Sequence, residues 1–122
     1  EVSIEVSVGA LSETVRRAEG FARDSSNIVR FMAEQDNDDS GGSLRIRAQA
    51  DESGTYEDEI DAVIEGGSSN IAFNIAYIRD VLTVLDSESI RIEITSSGNP
   101  GVVRAVDDDR LTHVVMPMYV QW

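Results

Sequence analysis

The fold is decided by residues 73–82, which read FNIAYIRDVL. The run from Ile71 to Phe73 is short and apolar, as is typical of a strand. Asn74 is a favourable N-cap residue, because its side-chain oxygen can accept a hydrogen bond from the first turn of a helix. A helix is therefore predicted over Ile75 to Leu85. Its apolar residues recur at helical spacing and form one buried face, made by Ile75, Ile78, Val81, Leu82 and Leu85.

The same order of strand and helix opens the chain. Apolar and polar residues alternate from Val2 to Val8, which indicates a strand with one buried face. After Gly9 a helical stripe is formed by Leu11, Val15, Ala18 and Ala22. Three more strands follow each pair of strand and helix. After the first pair they are Ile28 to Ala33, Leu44 to Ala48 and Tyr56 to Ile64, and after the second they are Ile90 to Ile94, Val102 to Val103 and Leu111 to Met116. The sequence predicts an α+β fold with a duplicated β-α-β-β-β unit, in which two helices pack on about eight mostly antiparallel strands.

The composition limits the size and class of the protein. The 122 residues suffice for one domain, spanning residues 1–122, but not for two. Cysteine is absent, which excludes a disulfide scaffold and a thiolate metal site and suits a reducing cytoplasm. We expect no signal peptide and no membrane span, since neither pattern is found in these residues. All ten basic residues are arginine against 23 acidic ones, a formal net charge of -13. This balance argues against a protein that grips phosphates, and it suggests a salt-rich cytoplasm, where acidic surfaces stay hydrated.

Several short motifs give weak chemical signals. Asp36 to Gly41 has the oxygen donors of the first half of a calcium-binding EF-hand loop, but Arg47 stands at the twelfth position, where a bidentate Glu is required. The run from Asp107 to Asp109 is interpreted as an acidic turn, and His113, the single histidine, as an ordinary strand residue. Neither glycine pair has the spacing of a phosphate-binding loop. We therefore expect no metal, no cofactor and no catalytic residue, so the protein is not predicted to be an enzyme.

The last nine residues, which read VVMPMYVQW, are unusually apolar for a chain end. Leu111 to Met116 suits a strand that enters the core. Pro117 cannot continue a central ladder, because it has no N–H group to donate. The residues beyond it are expected at a sheet edge: Met118, Tyr119 and Val120. Flexible thioethers beside an aromatic ring suit a groove that accepts different peptides.

The Phe-Asn-x-x-Tyr start of the helix at residues 73–77 and the Met-Pro-Met at residues 116–118 together resemble the third, C-terminal domain of the bacterial DNA sliding clamp, the beta subunit of DNA polymerase III. The resemblance extends more loosely over the whole chain. It implies a sliding-clamp domain, excised from a three-domain protein, that acts as a non-enzymatic processivity factor. It also implies a head-to-tail homodimeric ring that encircles double-stranded DNA without sequence specificity. Linear motifs of the DNA polymerase III catalytic subunit, the clamp loader and other polymerases or repair proteins would bind to it.

The resemblance implies three sets of functional residues. A hydrophobic partner-peptide groove is expected from Asn74, Tyr77, Val114, Val115, Met116, Pro117, Met118, Tyr119 and Val120. Because clamp helices line the hole of the ring, the DNA-facing residues are expected to be Arg16, Arg17, Arg23 and Arg79. Phe21, which lies off the apolar stripe of the first helix, is expected at the subunit interface beside an edge strand. The family usually ends in Met-Pro-Met-Arg-Leu, so Tyr119–Val120 and the added Gln121–Trp122 depart from its pattern.

The residues alone leave other interpretations open. A stand-alone α+β interaction module that self-associates through its apolar C-terminus would show the same tail. The four arginines would also fit an ordinary solvated helix face, since Glu13, Glu19 and Asp24 share that region. Asn74 would fit as a helix cap alone, and Tyr77 as a residue at the edge of the core.

Overall fold

The computed structural model describes residues 2–23, 27–35, 41–50, 54–85, 87–96, 98–106, 108–118 and 120. Two helices and eight strands follow one another within these residues, in the order β1 (Val2–Ser7), α1 (Val8–Ala22), β2 (Ile28–Gln35), β3 (Gly41–Ala50), β4 (Gly54–Glu65), β5 (Ser69–Asn74), α2 (Ile75–Val84), β6 (Ser89–Ile94), β7 (Gly101–Ala105) and β8 (Asp108–Val115). The predicted α+β architecture, with two helices on an antiparallel sheet, is confirmed.

The first helix begins earlier than expected. Val8, which the alternation assigned to the strand, is the first helical residue, and Ser7 is the N-cap. The hydroxyl of Ser7 accepts a hydrogen bond from Ala10 N at 3.3 Å, so the helix starts where a capping side chain is available. The predicted apolar stripe is buried, and Thr14 joins it. At the other helix, α2 ends at Val84, and Leu85 is its C-cap residue.

All eight strands belong to one sheet, with the order β5-β2-β3-β4-β1-β6-β7-β8. Every neighbouring pair is antiparallel. The two β-α-β-β-β units exchange their first strands, since β1 pairs with β6 of the second unit and β5 pairs with β2 of the first. This exchange places the beginning of each helix beside strands that belong to the other half of the chain.

The pairing between β1 and β4 covers only three residues on each strand. Ser3–Glu5 pairs with Val63–Glu65, whereas the earlier part of β4 pairs with β3 on one side. On its other side, residues 54–62 have no strand partner in the part of the chain that the structure describes. We call this stretch the β4 free edge. Unpaired N–H and C=O groups on such an edge can pair with a strand of another chain.

Gly41 and Gly42, which follow the acidic run that begins at Asp36, belong to β3. A Cβ atom at Gly42 would collide with the backbone carbonyl oxygen of Glu34, so only glycine lets β2 and β3 approach at this point. Residues 36–40, which include most of the calcium-like motif, lie outside the described residues.

The two ends of the sheet meet across the core. Phe73 of β5 packs edge-to-face on Phe31 of β2, with ring centroids 5.6 Å apart. On its other side, Phe73 lies so close to β7 that a Cβ atom at Gly101 would be 2.8 Å from the ring. The sheet is therefore strongly curved, and the residues that follow β8 come near the end of β5, where α2 begins.

Candidate functional site

The start of α2 is held by two hydrogen bonds. Asn74 is the last residue of β5 and the N-cap of α2, and its Oδ1 accepts a hydrogen bond from Ala76 N at 2.9 Å. Ile75 N donates to Asn27 O at 2.8 Å. The predicted cap is confirmed. Among the described residues, the Nδ2 donor of Asn74 has no hydrogen-bond partner.

The C-terminal tail lies beside the end of β5. Met118 N donates a hydrogen bond to Ala72 O at 2.8 Å, and Ala72 is two residues before the N-cap of α2. β5 is an edge strand, so its outward carbonyl groups are available. Pro117 has no N–H group and follows the last residue of β8 by two positions. The tail and the start of α2, which are far apart in the sequence, are thus adjacent in the fold.

Three predicted groove residues carry large exposed apolar side chains. Tyr77 is 60% exposed, Val114 is 63% exposed and Met116 is 64% exposed. The remaining described tail residues are half-buried: Pro117, Met118 and Val120. The tail and the N-terminal half of α2 thus each carry exposed apolar side chains, which are candidates for contact with other proteins.

One predicted groove residue belongs to the core instead. Val115 is only 4% exposed, because successive residues of a strand face opposite sides and Val114 takes the outward position. The side chain of Val115 therefore packs in the core and does not contribute to the exposed apolar surface. Tyr119 and Trp122 lie outside the described residues.

The structure adds two residues to the apolar surface that the sequence analysis missed. Val84 is 57% exposed, and Val81, predicted to be buried, is half-buried. At about 100° per residue, Tyr77, Val81 and Val84 share one flank of α2. Arg79 and Thr83 occupy the other flank, which borders the cleft toward α1. The helical spacing of residues 77, 81 and 84 could have revealed this apolar flank from the sequence.

The four arginines predicted to face DNA all lie on the helix layer and are exposed: Arg16 and Arg17 on α1, Arg23 at its C-cap, and Arg79 on α2. Arg16 and Arg23 have no ion-pair partner within the described residues. Their guanidinium groups are available to an external anion.

The other two arginines are paired within the domain. Arg17 Nη2 lies 2.7 Å from Glu13 Oε1, one helical turn earlier, and Arg17 Nη1 lies 3.9 Å from Asp58 Oδ2 of β4. Arg79 Nη1 donates to Glu19 Oε2 across the two helices, and Arg79 Nη2 lies 3.4 Å from the carboxylate of Asp80. The positive charge of the helix layer is thus partly neutralised.

The charge of the chain is unevenly distributed. The two helices and the C-cap residue Arg23 carry four arginines against three carboxylates, whereas the rest of the sequence carries six arginines against twenty. The helix layer is therefore far less acidic than the rest of this strongly acidic domain taken together. Such a surface repels a phosphate backbone much less than the rest of the molecule does.

Phe21 lies near the end of α1, against the β4 free edge. It is half-buried, and its ring centroid is 5.6 Å from that of Tyr56 on β4. Tyr56 donates a hydrogen bond from its hydroxyl to Asp58 Oδ2 at 3.1 Å. Burial raises the pKa of Tyr56, and the hydrogen bond to Asp58 raises it further. An aromatic pair thus flanks the β4 free edge.

Comparison with known proteins identifies the family. Residues 1–119 match the family model described as DNA polymerase III beta subunit, C-terminal domain. The chain belongs to this family. The resemblance inferred from the helix start and the tail is therefore confirmed.

Relatives and solved structures agree with this assignment. The beta sliding clamp of Pseudomonas aeruginosa is 37% identical over 79 residues, which are 65% of this chain and 22% of that protein. The DNA polymerase III beta subunit of Thermotoga maritima superposes with a TM-score of 0.90 at 27% identity, over 98% of this chain and 31% of that one. The P. aeruginosa clamp bound to griselimycin gives 0.88 at 27% identity, with the same coverage. The chain thus spans less than a third of these proteins.

Other features of this clamp-family chain point to no further chemistry. No group of three or more metal-ligating side chains converges among the residues that the structure describes. His113, on β8, is half-buried, and its Nε2 has no hydrogen-bond partner among the same residues. Neither of the two described helices is long and apolar enough to cross a membrane. The predicted acidic turn from Asp107 to Asp109 is wrong for its last two residues, because β8 begins at Asp108 and pairs there with Ala105 of β7. Asp107 lies outside the described residues.

Proposed function

We propose that the chain is the C-terminal domain of a three-domain replicative sliding clamp. The complete protein would form a head-to-tail homodimeric ring around double-stranded DNA in the cytoplasm and act as a processivity factor with no catalytic residue of its own. Membership of the clamp family supports this proposal. The observation that carries the partner-binding part is the hydrogen bond from Met118 to Ala72, because it joins the tail to the start of α2.

The apolar surface around Tyr77, Val114 and Met116 would form one wall of a groove for short linear motifs. The motifs would come from the DNA polymerase III catalytic subunit, the clamp loader, other polymerases or repair proteins. Methionine side chains adapt their shape to different apolar partners, and Tyr77 adds a ring with a polar tip. The Nδ2 donor of Asn74 would bind a backbone carbonyl of the motif. The preceding domain would supply the opposite wall.

The helix layer would face the DNA. Arg16 and Arg23, which have no ion-pair partner among the described residues, would with the internally paired Arg17 and Arg79 give a weak and delocalised attraction, which suits a ring that must slide. A topological link needs little binding energy from phosphate contacts, so the net acidity of the domain is compatible with encirclement. The acidic outer surface would keep other DNA molecules away.

The subunit interface would form at the end of α1. Phe21 and Tyr56 would provide an apolar contact, and the β4 free edge would pair with an edge strand of the next subunit. Backbone pairing of this kind fixes the orientation of two subunits and closes a ring when the contact repeats.

The groove assignment can be tested in the full-length protein. Replacing Met116 and Met118 with Ala should abolish calorimetrically measured binding of a clamp-binding peptide, while the ring stays intact in sedimentation. A matched control is the pair Val63→Ala and Val106→Ala, which removes apolar side chains that are 43% and 42% exposed elsewhere on the domain. The control should retain wild-type affinity. Unchanged affinity in the methionine variant would refute the assignment.

A further inference from the structure

A small cleft of about 140 Å³ lies between α1 and α2 on the helix layer. Its apolar floor is formed by Val15 and Leu82. Its rim carries two hydroxyl side chains, two guanidinium groups and one carboxylate, namely Ser12, Thr83, Arg16, Arg79 and Glu19. Hydroxyl and guanidinium groups are the donors that usually contact the phosphate backbone of nucleic acids. Thr83 already donates its hydroxyl hydrogen to Arg79 O at 2.8 Å, so the donors left for a phosphate are Ser12 and the two guanidinium groups, and Glu19 opposes them.

Glu19 already forms an ion pair with Arg79, one of the two arginines at the cleft. Its Oε2 accepts a hydrogen bond from Arg79 Nη1, and its side chain is only 15% exposed, against 49% for Arg79. Carboxylates and phosphates bind the same donors of an arginine side chain. An incoming phosphate must therefore compete for Arg79 with Glu19, and also with Asp80, whose carboxylate lies 3.4 Å from Arg79 Nη2.

We propose that Glu19 is an internal competitor for DNA phosphate at Arg79, and that a phosphodiester of duplex DNA docks transiently at this cleft. The inference rests on the proposed function, because it requires the helix layer to face DNA. Arg16, which has no ion-pair partner within the described residues, supplies a constant attraction. Arg79 contributes only when the phosphate displaces Glu19, and Glu19 returns when the phosphate leaves. Each contact is consequently short-lived, which is what a sliding ring requires.

The test uses Glu19→Gln, which removes the charge and nearly preserves the shape. Equilibrium binding of the full-length protein to a short fluorescent duplex is measured by anisotropy over a series of salt concentrations. One additional phosphate contact should steepen the slope of log K against log salt by about 0.9. If the affinities are equal near 1 M salt, this slope gives a gain of about eightfold at about 0.1 M salt.

The control variant is Glu93→Gln, which makes the same change in net charge. Glu93 pairs with Arg104 at 3.2 Å, and Arg104 lies between the buried residues Val103 and Ala105 of β7. The pair therefore occupies the sheet face opposite the core, away from the helices. Glu93→Gln should leave the slope unchanged. Combining Glu19→Gln with Arg79→Ala should abolish the gain, because the freed guanidinium is absent.

Two results would overturn the inference. Equal effects of Glu19→Gln and Glu93→Gln would show that net charge alone matters, and a gain that survives Arg79→Ala would show that Arg79 is not the group released. The proposed function has a separate readout. If Arg16→Ala and Arg23→Ala leave DNA binding unchanged, the helix layer does not face DNA. If they weaken binding while Glu19→Gln gives no gain, only the competition mechanism is wrong.

Discussion

Replacing Asn74 by Ala and by Asp should separate two roles of one side chain. In the structure, Asn74 Oδ1 accepts the hydrogen bond from Ala76 N at 2.9 Å. Ala removes this acceptor, so Asn74→Ala should lower the free energy of unfolding by about 1 kcal/mol, as for other lost N-caps. For a domain of 122 residues, this is a fall in Tm of about 4 °C. Asp keeps the acceptor and places a negative charge at the positive end of the helix, so Asn74→Asp should retain wild-type stability.

Peptide affinity distinguishes the second role. Asp has no Nδ2 donor, and if that donor binds the peptide backbone, Asn74→Asp should weaken binding by about 1 kcal/mol, roughly fivefold. Urea and thermal unfolding measure stability, and calorimetry on the full-length protein measures binding. The capping argument is refuted if Asp destabilises the domain as much as Ala does. Full peptide affinity in Asn74→Asp would leave Asn74 as a helix cap alone.

Three further changes test other parts of the structure. Phe21→Glu should shift the full-length dimer toward monomer in sedimentation, and an unaffected dimer would remove Phe21 from the interface. Gly101→Ala should destabilise the domain by about 1–3 kcal/mol in urea unfolding, because its Cβ would lie 2.8 Å from the ring of Phe73; wild-type stability would contradict the close contact. Asp58→Asn should lower the pKa of Tyr56 only in part, because burial is the larger cause of its elevation; a complete return to the ordinary value, measured by NMR titration, would contradict this order of causes. Since the raised pKa favours neutral Tyr56 in the fold, its contribution to stability is present below pH 10 and is lost as the pH rises through the folded-state pKa.

Hydrophobic patterns were sufficient to predict the existence of each helix and strand among the described residues. The residues from Val2 to Val6 alternate because one face of β1 is buried, and the stripe from Leu11 to Ala22 follows the helical period because one side of α1 packs on the sheet. Element ends were less predictable. Val8 continues the alternating pattern but begins the helix, because the hydroxyl of Ser7 and the backbone geometry outweigh the pattern.

Periodicity does not specify which strands become neighbours. The exchange of β1 and β5 between the two units depends on contacts between distant parts of the chain. The same applies to the three-residue pairing of β1 with β4, which leaves residues 54–62 unpaired along one edge. The candidate subunit surface beside Phe21 therefore could not be defined from the residues alone.

The candidate groove was likewise only partly predictable from the sequence. Its location was inferred from a family resemblance, since no rule of spacing places Met118 beside Ala72. The periodicity of the strand and of the helix would have shown which residues belong to the candidate groove. The alternation of a strand distinguishes the outward Val114 from the buried Val115, and the helical period associates Val84 with Tyr77. The departure from the usual Arg-Leu ending falls on Tyr119 and Val120, and only Val120 is among the described residues.

The net charge of a surface does not show which of its charged groups are already ion-paired. A count over the helix layer suggests four arginines available to DNA, but Arg17 and Arg79 are each held by a carboxylate. Glu13 is one turn from Arg17, so that pair follows from sequence spacing. Glu19 lies sixty positions before Arg79, and only the packing of α1 against α2 brings them together. The attraction of this surface for a phosphate backbone is consequently set by helix packing, and a substitution that shifts α2 against α1 should change it without altering the charge.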